Sequence, residues 1–192
     1  MNLLLMRPIK IKTAMFVIIL ILLSVFRESF CYASLHTVGN EQFILKDCTT
    51  EKDIKSTYEV MYQLRPEYTD PNLYVKFVQH LMLNENYKLT ALYTLDSGEN
   101  CVGVIGYQIK ERLYPGKFMY IADIVVDSKM RNKGLGSILM NYVEKQALEI
   151  PGVKAVILES AINRKQTHKF YQKRGYEIKS FSFRLFYNTV QK

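Results

Sequence analysis

The chain has 192 residues, of which 48% are hydrophobic and 23% charged, an ordinary globular balance that excludes a disordered or low-complexity protein. The formal net charge of +8 reduces to +5 once Arg7, Lys10, Lys12, Arg27 and Glu28 of the N-terminal segment are set aside. That residue of charge suits a polyanionic ligand, and no nucleic-acid partner is expected from it.

Read in order, the chain begins with a basic flank followed by the apolar run 14–26, AMFVIILILLSVF, which has the length of a signal-peptide core rather than of a full bilayer span. Cys31-Tyr32-Ala33 offers a cleavage site before Ser34. Residues 1–33 are therefore read as a signal peptide or an uncleaved anchor, with membrane contact through residues 11–30 in the second case, or as a start codon placed too early. Export or membrane association follows from the first two readings and a cytoplasmic location from the third. Cys31 is no lipid-attachment site, because Glu28 and Phe30 stand where small or aliphatic residues belong. Cys48 and Cys101 could pair in an oxidising compartment or stay as buried thiols, and the thiol reading is preferred.

Past the leader, residues 43–48 read as a short strand. Thr50 with Asp53 three residues on forms a capping box that opens a helix to about residue 65, where Pro66 ends it. Asp70 and Pro71 start a second helix with an apolar face of Tyr74, Phe77, Val78 and Leu81. Strands over 87–95 and 101–109 are joined by the turn-rich loop 96–100. Gly103 and Gly106 weaken the second of these unless something approaches its backbone closely. Tyr114-Pro115-Gly116 turns the chain into a strand that ends at Val126, and a helix spans 135–148. Pro151-Gly152 breaks that helix, 154–160 reads as a buried strand, 163–174 as a helix stopped by Gly175, and 176–187 alternates like a closing strand. No repeat or linker interrupts the series, and the three His and three Cys show no metal-ligand spacing.

The stretch 119–140, MYIADIVVDSKMRNKGLGSILM, carries the chemistry. A strand that runs into a glycine loop and a helix N-terminus is an anion site, since free N–H groups converge there and the helix dipole adds about half a positive charge. A P-loop needs Lys and Ser or Thr after its last glycine, and Gly136 is followed by Ser137 and Ile138. A dinucleotide fingerprint needs a third glycine, which is absent here.

Arg131-Asn132-Lys133-Gly134-Leu135-Gly136 instead resembles the R-x-x-G-x-G/A signature of the GNAT superfamily of acyl-CoA N-acyltransferases. A second block, Glu159-Ser160 with Arg164, His168, Phe170, Tyr171 and Gly175-Tyr176, resembles that family's downstream pattern. The resemblance covers about residues 40–190. It implies an α/β fold of the α+β type, a mixed, mostly antiparallel twisted sheet flanked by helices, with the central strand splayed to admit acyl-CoA. It also implies an enzyme, an N-acetyltransferase with acetyl-CoA as co-substrate and no metal, whose other ligand is a primary amine attacked directly. Under it, the backbone of Ile124 and Val126 meets the pantetheine, and main chain from Arg131 through Asn132, Lys133, Gly134, Leu135, Gly136 and Ser137 holds the pyrophosphate. The segment LRPEYTDPNLY becomes part of the acceptor wall. Tyr171 is the acid that protonates the leaving thiolate; its alternative is a core aromatic. Asp123 is the best-placed base; its alternatives are a contact to a cationic substrate, Glu159 acting through water, or water alone. Ala122 stands where many relatives carry an acidic residue, His168 reads as a structural or acyl-pocket contact, and Asn163 lies one place from a family cofactor position. Because acyl-CoA is cytoplasmic, the leader conflicts with catalysis, and an exported or membrane-tethered, non-catalytic GNAT-fold binding protein is the competing reading.

Overall fold

The computed structural model describes residues 33–95 and 99–187. The apolar run and the tip of the loop over 96–98 lie outside the described residues, and so does the reading of residues 1–32 as signal or anchor. Among the described residues, no helix is long and apolar enough to cross a membrane.

Six strands form one sheet in chain order: β1 (Ala33–Val38), β2 (Glu41–Asp47), β3 (Lys88–Thr94), β4 (Asn100–Arg112), β5 (Gly116–Val126) and β6 (Val156–Leu158). Neighbours are antiparallel except β5 and β6, which run parallel. The mixed, mostly antiparallel sheet is thus the one expected. β1 lies ahead of residue 40 and pairs with β2 from Glu41 to Lys46, through a turn in which Gly39 takes the left-handed φ of 60°.

Helices cover both faces. Against one pack α1 (Glu51–Ser56), α2 (Tyr58–Tyr62) and α3 (Pro71–Glu85); against the other pack α4 (Leu135–Glu149) and α5 (Lys165–Lys173). The Thr50–Asp53 capping box forms as its spacing requires. The single helix expected to residue 65 is, however, two short ones. At the break, the buried Thr57 hydroxyl donates to the Ile54 carbonyl at 2.7 Å and receives the Tyr74 hydroxyl at 2.8 Å, so the side chain takes over helix bonding. Asp70 caps α3 by accepting the Asn72 N–H at 2.8 Å, with Pro71 in the first turn.

The expected closing strand does not form: residues 176–187 pair with no strand. β6 is only three residues long and offers too short an edge to template a partner. Arg184 holds the segment to Glu159 at 2.8 Å, while Phe183 remains 95% exposed.

The core is rich in phenols. Burial pushes Tyr74, Tyr93 and Tyr142 above their ordinary values, and Tyr107 up to about 12; it raises the free thiols of Cys48 and Cys101 to about 12 as well. These groups keep their protons in the fold at pH values where the unfolded chain has lost them. Their contribution to stability is therefore complete below the unfolded thiol and phenol values and is lost as pH rises through the folded ones. Unfolding free energy should decline from about pH 8.5 and more steeply above about pH 10, by about 1.4 kcal/mol per pH unit for each group in its window. Urea titrations between neutral and alkaline pH measure the slope.

Candidate active site

β5 decides the geometry. Against β4 its register steps from Tyr107↔Ile121 to Gly106↔Asp123, so Ala122 is the extra residue of a β-bulge. Ordinary alternation would put Asp123 on the face of Ile121. The bulge keeps it on the face of Ala122 instead, toward α2 and α3, while Ile124 and Val126 return to the face of α4 and α5. On its other edge β5 pairs with β6 only from Met119↔Val156 to Ile121↔Leu158. Beyond Ile121 the two strands part, which is the splay that the resemblance implied. Asp127 donates its N–H to the Val102 carbonyl at 2.9 Å, across β4. Since successive residues turn their backbone groups to opposite sides, Val125 faces β4 and those of Ile124 and Val126 face the gap. The Val126 carbonyl accepts from Arg131 Nε at 3.2 Å.

At the mouth of the gap lies the glycine loop. Gly134 caps α4 with a left-handed φ of 81°, and Asn132 is also left-handed at 63°. A Cβ on Gly134 would meet nothing within 4 Å, whereas one on Gly136 would sit 3.7 Å from Phe170 and 3.9 Å from Val126. Only the first position demands glycine; the second admits a methyl, as the G/A of the signature allows. Ser137 N–H bonds the Gly134 carbonyl at 2.9 Å. Among the described residues, the N–H groups of Asn132, Lys133, Gly134, Leu135 and Gly136 have no partner, and the helix dipole points out through them. The loop is an unblocked anion cradle, and a diphosphate fits its chemistry. Lys133 is committed elsewhere, pairing with Glu41 at 2.7 Å.

Tyr171, on α5, is 8% exposed and packs in the cluster of Ile121, Leu135 and Leu139, with Ile124 and Val126 at its border. Its hydroxyl bonds no described residue. Burial raises its ionisation, with Arg164 opposing, so the phenol stays protonated through neutral pH.

Asp123 has an elaborate shell. Its Oδ1 accepts from Arg65 Nε at 2.7 Å and Nη2 at 2.6 Å, and its Oδ2 accepts from the Tyr87 hydroxyl at 2.9 Å. Arg65 also donates to the Ala122 carbonyl at 3.2 Å, clamping the bulge. Burial, and then the carboxylate beside it, push the Tyr87 phenol well above its ordinary value and keep it a donor. A carboxylate has about four lone-pair positions, and three are taken here, which leaves one on Oδ2. Asp123 lines a cleft of about 230 Å³ that Arg65, Tyr68, Tyr74, Phe77 and Tyr87 also line.

Of the residues singled out by sequence, Asp123 and Tyr171 thus come to the same strand from opposite faces of the sheet, and the residues 131–137 gather at its end. Glu159 is ion-paired to Arg184, and His168 donates Nε2–H to the Ala161 carbonyl at 3.0 Å, a structural bond. Asn163 is exposed, its carbonyl accepting the Lys165 N–H at 3.0 Å. Arg65 falls in the segment LRPEYTDPNLY expected at the acceptor wall, but its pairing with Asp123, and the part of Tyr87, were not foreseen. Gly106 held the signal for the second: a Cβ there would fall 1.7 Å from the Tyr87 hydroxyl oxygen, so the strand glycine is the seat of that ring. Among the described residues no group of His, Cys, Asp and Glu could hold a metal ion.

A sheet parted beside a bulged strand, with a diphosphate cradle at the end of the gap, defines an acyl-CoA-dependent acyltransferase. Residues 52–176 match the acetyltransferase (GNAT) family, and the chain belongs to that family. It is 30% identical to the uncharacterized N-acetyltransferase YhdJ of Bacillus subtilis, over 73% of this chain and 96% of that one. It is also 30% identical to the aminoalkylphosphonate N-acetyltransferase of Salmonella typhimurium, over 72% and 88%. The crystal structure of a Trypanosoma brucei acetyltransferase has the same fold, with a TM-score of 0.64 at 21% identity over 76% of this chain and 99% of that one. The protein is an acyl-CoA-dependent N-acetyltransferase, of a family that takes acetyl-CoA as co-substrate and passes the acetyl group to an acceptor.

Proposed function

We propose that the protein moves acetyl from acetyl-CoA to a primary amine by direct attack, without an acetylated enzyme. Bound acetyl-CoA supplies an acyl group activated as a thioester. Ile124 and Val126 hold the pantetheine through their gap-facing backbone, and main chain from Arg131 to Ser137 holds the diphosphate. Asp123 takes a proton from the incoming ammonium through its remaining Oδ2 position, since an alkylamine with a pKa of about 10.4 is otherwise protonated. As the C–N bond forms and the C–S bond breaks, Tyr171 gives its proton to the departing sulfur, and the second proton that the acylated nitrogen sheds returns through water to the phenol. Arg65 and Tyr87 act as positioning residues, fixing the carboxylate and the bulge carbonyl. The observation that carries the reading is the pair of proton-handling side chains on opposite faces of β5, one toward each side of the gap.

Calorimetric titration of the protein with acetyl-CoA, beside Gly134→Asp, tests it. The expected result is micromolar affinity in the parent and none in the variant, whose carboxylate would face the phosphates. Thermal unfolding of both shows whether the variant keeps its fold. A folded parent that takes up no acetyl-CoA would overturn the reading and leave the non-catalytic binding protein in its place.

A further inference from the structure

The cleft above Asp123 has a composition that selects among amines. Its side walls are Met61, Tyr74, Phe77, Val78 and Leu81, all apolar or aromatic. The rings form a continuous ladder: Tyr74 to Tyr68 at 6.3 Å between centroids, Tyr68 to Phe77 at 5.4 Å, and Phe77 to His80 at 6.3 Å, where the ladder reaches a shallow outer recess. The hydroxyls in the cleft are largely spent on the protein itself. Tyr74 gives its hydrogen to Thr57, and Tyr87 gives its own to Asp123. What the cleft offers an acceptor is ring faces rather than hydrogen bonds.

Charge points the same way. The Arg65 guanidinium is matched by Asp123, so the pair is close to neutral toward a ligand. Glu67, exposed at the rim, pairs with no other described side chain and is the cleft's one unmatched charge among the described residues. Lys76 reaches only the outer recess. An ammonium would meet a carboxylate at the entrance, then the negative faces of aromatic rings, then Asp123. A sugar amine would leave its hydroxyls desolvated without partners, and an anionic acceptor would meet Glu67 without a free cation to answer it.

We propose that the acceptor is a hydrophobic primary amine, an ammonium on an alkyl or arylalkyl chain, whose body lies against the exposed faces of the Tyr68 and Phe77 ring pair. This rests on the acetyl-transfer reading above. Phe77 is 43% exposed, so its removal does not put the fold at stake.

Initial rates of acetyl transfer by the full chain, with phenethylamine, hexylamine, glucosamine and aminomethylphosphonate as acceptors, test it. The two hydrophobic amines should exceed the other two in kcat/KM by about tenfold or more, the effect of one well-desolvated ring contact. Phe77→Ala should raise KM for phenethylamine about tenfold with a much smaller change in kcat, and Glu67→Gln should raise it a few fold at low salt and not at high salt. If glucosamine or aminomethylphosphonate is preferred, or if Phe77→Ala penalises all four alike, the inference falls and the acetyl-transfer reading stands. If acetyl-CoA binds and none of the four is acetylated, the inference likewise falls, whereas a failure to bind acetyl-CoA is what would overturn the acetyl-transfer reading.

Discussion

Asp123→Asn is expected to lower kcat by about a hundredfold to ten-thousandfold, the usual worth of a positioned general base, with acetyl-CoA affinity retained. The substitution is close to isosteric, and one oxygen remains to accept the Tyr87 hydroxyl. What it removes is the ability to take a proton from the amine and the charge that answers Arg65. Because the cradle at residues 131–137 shares no side chain with Asp123, calorimetry and steady-state rates should separate cleanly. A variant that loses binding together with rate would make Asp123 a structural post. Tyr171→Phe is the companion from the opposite face. It deletes one oxygen from a packed ring and should cost kcat about a hundredfold without changing acceptor KM. Since burial lifts the phenol's ionisation, the parent's chemical step should not fall for want of this proton until pH exceeds about 10, and single-turnover rates against pH would show it.

The second large effect is expected at a residue that carries no side chain. In Gly106→Ala the new Cβ falls 1.7 Å from the Tyr87 hydroxyl oxygen, 2.3 Å from Cζ and 2.8 Å from Cε2, all shorter than any real contact. Either the strand or the ring must move, and the cost should be about 3 kcal/mol, the upper part of the usual range for overpacking. Urea denaturation measures it directly. The ring is also the donor to Asp123, so the catalytic rate should fall with the stability. Tyr87→Ala vacates the volume, and in that background Gly106→Ala should be much less costly, giving a favourable coupling between two sites whose contact explains it. Equal penalties in both backgrounds would mean that the strand needs Gly106 for another reason.

Local chemistry was the legible part of this protein. The capping box at Thr50, the Asp70-Pro71 helix start, and the glycine loop leading into a helix over 135–149 each depend on residues within a turn of one another, and each stands where spacing put it. The surroundings of Asp123 were only half legible. Asp123 drew notice as a carboxylate in an apolar strand, but its partners lie 58 and 36 residues away, and only folding brings Arg65 and Tyr87 to it. The bulge left no mark in composition, because alternation blurs in a strand apolar on both faces. The C-terminal stretch shows the converse limit: its alternation is real, yet pairing also needs an edge, and β6 supplies three residues of one.

The bulge at Ala122 has one more implication. The parting of β5 from β6 goes with a surplus of chain: β5 has one residue more than β4 can match, and beyond that residue the ladder to β6 does not continue. Deleting Ala122 would restore a regular strand with Asp123 still on the acceptor side, and the edge beyond Ile121 would be free to pair with the residues that follow β6. Such a protein would keep every side chain assigned a task and be better paired, yet have no room for its donor. The capacity to react is stored in an inefficiency of pairing, so a change that perfected the sheet would close the enzyme.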